Sequence, residues 1–190
     1  MSKRWRSGNL QRAIPITRGD LDQGIARVGY RPEHNPKPGK DRWFSWRDVV
    51  AIAVAQELRI IGYGPKVAFG LVQDHLAPFL RTSVAEQPGD CAGMLWLIDN
   101  ANGTLGEMNH SQFVRYADND AFFAALTQSA CIVVNVGRVA RRVMENLRVQ
   151  AIEDAAAREA EALEAEAKAE AQWQAQAQAE AQARAKRQAV

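Results

Sequence analysis

Stretches in which apolar residues recur at three- and four-residue steps alternate with short runs of turn formers, and that alternation predicts the elements. Leu10 and Ala13 mark a short helix over about Ser7–Ala13, and Ile14-Pro15-Ile16 reads as a tight turn. Leu21, Ile25 and Val28 share one face of a second helix, which Thr17 can cap with Asp20 three residues on, and Gly29 stops it. Arg31-Pro32 leads into extended chain, and no regular element can hold the run from Glu33 to Asp41, Glu-His-Asn-Pro-Lys-Pro-Gly-Lys-Asp. Bounded by Tyr30 and by Arg42-Trp43-Phe44, this run predicts a polar loop carried between two short strands. Ser45, with Asp48 three residues later, opens a helix through Val49, Ile52, Ala53 and Leu58 to Gly62. Pro65 suits the first turn of the next helix, which presents Val67, Phe69, Leu71, Val72 and Leu76 and is predicted to end near Pro78.

Residues 82–92 read as a linker. Beyond it the pattern predicts a strand at Met94–Ile98, a turn at Asn100-Ala-Asn-Gly103, and a second strand near Gln112–Tyr116. A helix from Asn119 or Asp120 carries Phe122, Phe123 and Leu126, and the β-branched run Cys131–Val136 reads as a buried strand, so the middle is a small α/β unit. From Gly137 the chain is helical, with Val136, Val139, Val143 and Leu147 forming a seam able to pair with another helix. Residues 155–190 are nearly all Ala, Glu, Gln, Lys and Arg, with Leu163 and Trp173 the large apolar residues before Val190. Alanine at alternate positions mimics strand periodicity, but these are the strongest helix formers. The pairs Glu164–Lys168 and Glu180–Arg184 add only about 0.2–0.5 kcal/mol each, so the tail is predicted to be a fraying helix or disordered, and not a domain.

Charge sharpens this picture. The net charge of +2 over 190 residues hides a basic head, with Lys3, Arg4, Arg6, Arg12, Arg18, Arg27, Arg31, Lys37, Lys40, Arg42 and Arg47 against few carboxylates, followed by a mildly acidic tail. A basic head points to a polyanionic partner. Cys91 and Cys131 have no ligand-like spacing to each other or to His34, His75 and His110, so neither a disulfide framework nor a metal site is expected. The basic N-terminus is followed by no apolar run, and no stretch approaches the roughly 18 apolar residues of a membrane span, so the expectation is a cytoplasmic protein with no membrane contact. No nucleophile–base pair stands out, and neither enzymatic activity nor a cofactor is expected. Trp5, Trp43, Phe44 and Trp46 read as packing residues, because a duplex reader needs no stacking platform.

The succession of Leu10 and Ala13, Thr17 through Gly29-Tyr30-Arg31-Pro32, Arg42-Trp43-Phe44-Ser45, Asp48-Val49-Val50, and then Leu58, Gly62 and Pro65 resembles the winged helix-turn-helix DNA-binding domain of MerR-type regulators. The resemblance covers about residues 5–80. It implies a winged helix-turn-helix over 1–80; with the linker and small α/β unit over 81–136, the amphipathic helix over 137–154 that offers a homodimer seam, and the tail over 155–190, all read from the residue pattern, the expected fold is mixed and mainly α. It implies further that the helix from Thr17 to Val28 enters the major groove while the wing around Lys37–Arg42 straddles phosphates. Thr17, Arg18, Arg27, Lys37, Lys40 and Arg42 are then the DNA-binding residues, and double-stranded DNA the partner. Where family members commonly carry Arg and aromatic side chains mid-helix, this chain has Asp20, Asp22, Gln23 and Gly24. Asp20 is expected to cap and point away, whereas Asp22 would repel phosphates, and Gly24 weakens a helix by about 1 kcal/mol relative to Ala. These residues motivate a rival reading, a protein-interaction scaffold that keeps the winged-helix fold without specific DNA binding.

Overall fold

The computed structural model describes residues 4–33, 42–82, 88–99, 111–115 and 131–188, and the chain is mainly helical. In order it forms β1 (Trp5–Arg6), α1 (Ser7–Ala13), α2 (Arg18–Ala26), β2 (Trp43–Phe44), α3 (Trp46–Ile60) and α4 (Pro65–Leu71). A π turn (Val72–Leu76), α5 (Ala77–Thr82) and a 3-10 turn (Pro88–Cys91) follow, then β3 (Met94–Asp99), β4 (Ser111–Arg115), β5 (Cys131–Asn135) and α6 (Val136–Gln188). Residues 1–148 make one compact unit and 149–190, of which the described part is the remainder of α6, a second.

Within the first unit α3 is the central element. Its start is a capping box: the Ser45 hydroxyl accepts from the Asp48 N–H, and the Asp48 carboxylate accepts in return from the Ser45 N–H. From Val49 to Ala55 every side chain is buried, so the helix is apolar all round and other elements enclose it. Gly62, at φ +109°, ends that segment in a conformation that side chains avoid, and Pro65 begins α4 at a position where its missing N–H costs nothing.

Four expectations are corrected here. The strand at Trp43–Phe44 pairs antiparallel with Trp5–Arg6 at the N-terminus (Trp5 opposite Phe44, Arg6 opposite Trp43) and not with chain near Tyr30, where no strand forms. The second helix ends at Ala26 and not at Val28; Gly29, at φ +86°, then turns the chain. The helix begun at Pro65 does not stop near Pro78 but runs on as α5 to Thr82. The wide π turn before Pro78, in which the Ala77 N–H reaches the Val72 carbonyl, loosens the ladder where a proline ring would collide with it. The segment read as a linker includes the 3-10 turn, and Cys91 at its end is fully buried.

The middle region is an antiparallel sheet ordered β4-β3-β5, with Trp96 of β3 opposite Phe113 on one side and Val134 on the other. It shares a core with the N-terminal helices. Phe79 of α5 stacks on Phe113 (ring centroids 3.9 Å apart), and Trp96 lies fully buried behind it. The seam Val136, Val139, Val143 and Leu147 is buried inside this same unit, so its apolar surface is used within the chain. Gly137 allows that packing, because a Cβ there would stand 2.3 Å from the Cys91 carbonyl oxygen. The expected turn at 100–103, the helix from 119 or 120, and the side chains of Cys131, Glu180 and Arg184 lie outside the described residues.

In the second unit the helix is solvent-exposed through its described side chains to Ala177, apart from Gln150 and Asp154. Lys168 and Glu164 form the expected pair at 2.6 Å. Val149, Ile152, Leu163 and Trp173 are exposed on it. Among the described residues no helix is long and apolar enough to cross a membrane.

Gly24 shows how packing overrides propensity. A Cβ at Gly24 would lie 2.7 Å from the ring of Phe69, which is itself fully buried. Gly24→Ala should therefore lower stability by about 1–3 kcal/mol instead of raising it by the roughly 1 kcal/mol that helix propensity alone suggests. Thermal melting checks the sign, and Phe69→Leu in the same chain should recover part of the loss.

Candidate nucleic-acid interface

The angle between α1 and α2 is set by polar groups that reach the turn from other helices. Within the turn the Ile14 N–H returns to the Leu10 carbonyl at 2.8 Å, and Ile14 and Ile16 are buried. The Gln56 amide of α3 donates to the Pro15 carbonyl at 2.7 Å, and the Asn146 amide of α6 donates to the Ala13 carbonyl at 2.9 Å. The Ala13 carbonyl is one of those that the end of a helix leaves without an intrahelical partner. The α1-turn-α2 geometry thus depends on α3 and on the start of α6.

Leu21 and Gly24 turn inward from α2. At 100° per residue the opposite face carries Gly19, Gln23 and Ala26, flanked by Arg18 and Asp22 on one side and by Asp20 and Arg27 on the other. Thr17 is the N-cap: its hydroxyl accepts from the Asp20 N–H at 3.1 Å and donates to the Asp20 carboxylate at 2.8 Å. Asp20 also receives the Arg59 guanidinium at 3.0 Å. Hydrogen bonds from Arg59 first, and then from Thr17, hold the Asp20 carboxyl below its ordinary value against the opposing effect of burial. Thr17 and Asp20 are therefore committed to the start of the helix.

Asp22 brings two of the expected site residues together. Its carboxylate pairs with Arg42, next to β2, and lies 3.8 Å from the Arg18 guanidinium, which is 84% exposed. Arg27, at the C-terminal end of α2, is exposed and makes no ion pair among the described residues. Lys37 and Lys40 lie outside the described residues, but the chain on either side of them, up to Glu33 and from Arg42, is described. On the first side the Arg31 N–H donates to Gln73 (2.8 Å), the Arg31 carbonyl accepts from Arg81 (2.7 Å), and the Glu33 N–H donates to Asp48 (3.1 Å). Glu33 also pairs with Arg47 at 3.5 Å and with Arg81 at 3.8 Å. On the other side Arg42 is tied to Asp22, and β2 is paired with β1.

One contact that sequence reasoning missed lies next to Arg42. Arg6 lies over the Trp43 ring at 4.8 Å, so this half-exposed indole is covered by a cation while Trp5, Phe44 and Trp46 are buried in the core. The i,i+4 spacing of Arg18 and Asp22 was readable as a pair; the approach of Arg42, twenty residues further on, needed the tertiary fold. A cleft of about 350 Å³, lined by residues that include Gly89, Ala92, Gly137, Met144 and Arg148, has no signature in the sequence. Among the described residues no group of three or more His, Cys, Asp or Glu side chains is placed to hold a metal ion. No family model matches the chain, and no curated protein does.

A pH dependence follows from Asp20. Its carboxyl titrates lower in the folded protein than in the unfolded chain, so its stabilisation is present above about pH 4 and disappears as pH falls through the folded value. Asp20→Asn should lower stability at neutral pH by less than about 1 kcal/mol, and the difference should shrink as pH falls through the folded value. Denaturant titrations across that pH range measure both quantities.

Proposed function

We propose that the protein binds duplex DNA with the outward face of α2 and the segment that reaches Arg42 beside it, acting as a transcriptional regulator or accessory DNA-binding protein of MerR-like type. The observation that carries this reading is the tie between Arg42 and Asp22, since it holds Arg42, two residues after Lys40, beside α2. Asp22, the residue that argued against DNA, is neutralised by two guanidiniums, and the trio keeps one net positive charge. Arg18 and Arg42 then meet phosphates on one flank of α2 and Arg27 on the other, and these contacts set position and register without reading sequence. A cytoplasmic location goes with this function.

Affinity of the full chain for random-sequence duplex should fall steeply with salt, because each cation that meets a phosphate releases counterions. Replacing Arg18, Arg27 and Arg42 together by Ala should weaken binding about equally on all sequences and reduce the slope of log affinity against log salt by up to about 3. Fluorescence anisotropy across a salt series reads both quantities. Absence of binding at low salt would overturn the proposal. The protein-scaffold reading would then gain, since the same Asp22 that anchors Arg42 also draws two cations away from any polyanion.

We also infer a homodimer through the helix after Val136. The seam up to Leu147 is buried within the first unit, so the surface available is the exposed set Val149, Ile152, Leu163 and Trp173. These four fall on the a and d positions of one heptad register, the arrangement that pairs helices. Glu159, Glu166 and Glu170 share that register and repel across a parallel pair. Self-association should therefore strengthen with added salt, opposite in sign to DNA binding, and Leu163→Glu should shift the mass seen by light scattering toward the monomer. A mass that is independent of both salt and this substitution would exclude the tail as the dimer surface.

A further inference from the structure

We infer that Gln23 is the residue that reads base sequence, and that its target is adenine in the major groove. The inference rests on the proposal that α2 enters duplex DNA. It proceeds by elimination along the outward face of that helix. Gly19 and Ala26, which flank Gln23 on this face one helical turn to either side, have no polar side-chain atom. Thr17 and Asp20 are occupied by each other and by Arg59. Asp22 is occupied by Arg18 and Arg42, and those two guanidiniums are held at the flank, where a groove-bound helix meets the phosphate backbone. Arg27 stands at the C-cap, beyond the last turn of the helix. Gln23 remains. Its side-chain amide makes no hydrogen bond among the described residues, and its helical position is turned away from Leu21 and Gly24.

The chemistry of that side chain selects the base. A carboxamide offers one acceptor and one donor on the same edge, which matches the N6 amino donor and N7 acceptor that adenine shows in the major groove. Guanine shows two acceptors there, so one of the two bonds is lost, and cytosine lacks the adjacent acceptor. The small neighbours contribute indirectly: with Gly19 and Ala26 on either side, no long side chain holds the helix axis away from the groove floor, and a side chain as short as Gln reaches the base edges.

The test uses the full chain and pools of duplexes with a randomised centre. Wild type should enrich a site with one position held as A·T, and Gln23→Ala should lower discrimination at that position by about tenfold. The affinity of Gln23→Ala for random-sequence duplex at the same salt should stay within about twofold, since no phosphate contact is removed. Alanine favours the helix, so folding is not compromised. Gln23→Glu should move the preference at that position toward cytosine, whose amino group donates to a carboxylate. If wild type and Gln23→Ala bind random duplex and enrich the same motif, or if wild type enriches none, the assignment of Gln23 is wrong while the DNA-binding reading stands. If wild type fails to bind random duplex at low salt, the DNA-binding reading falls and this assignment falls with it.

Discussion

The first unit depends on one buried carboxylate. Asp48 is almost fully enclosed, yet it accepts hydrogen bonds from the Ser45 N–H and hydroxyl, from the Tyr30 hydroxyl and from the Glu33 N–H, and the Arg81 guanidinium stands 3.9 Å away. A buried ionisable group is tolerable only when its lone pairs are occupied in this way. Burial pushes its carboxyl above the ordinary range, although the hydrogen bonds from Ser45 and Glu33 oppose the shift. Tyr30 is driven well up, by its own burial first and then by the neighbouring carboxylate, so it remains a donor. Through these bonds one side chain joins the exit from α2, the chain at Glu33, the start of α3 and the end of α5.

That node, with the pair at Asp22, fixes the two described ends of the chain around residues 34–41, Glu33 and Arg42, relative to α2 and α3. Glu33 takes its place from Asp48, Arg47 and Arg81, whereas Arg42 takes its place from Asp22 and the β1–β2 pair. A surface pair such as Arg42–Asp22 adds little stability by itself. Its consequence is positional, and under the proposed DNA-binding reading a cation that has already lost its freedom gives up less entropy on meeting a phosphate. Asp20 and Asp48 respond to pH in opposite directions. The folded pKa of Asp48 is raised, so its contribution is full below the unfolded value and lost as pH rises through the folded one, whereas that of Asp20 is lost on acidification.

The sheet of the middle region and the first turns of α6 are part of the same construction. Asn146 satisfies a carbonyl at the end of α1, Arg142 pairs with Glu57 of α3, and the rings of Phe79 and Phe113 stack where α5 meets the sheet. A boundary drawn near residue 80, suggested by the turn-forming run that follows α5, thus runs between parts that bury each other's apolar surface.

Local chemistry was enough to determine much of this chain. The caps at Thr17 and Ser45, the left-handed turn at Gly29 and the start at Pro65 follow from short-range sterics and hydrogen bonding, which neighbouring residues largely specify. What those rules could not reach was decided by residues distant in sequence. The partner of Trp43–Phe44 is the N-terminus, because an isolated two-residue strand carries no register information and takes whichever edge the core brings to it. Gly24 reads locally as a defect and is in fact where the Phe69 ring enters, and Asp22 reads as repulsive until the fold brings Arg42 to it. The Val136–Leu147 seam reads as a surface for a second copy and is covered by this chain, since periodicity reports that a face is apolar but not what covers it.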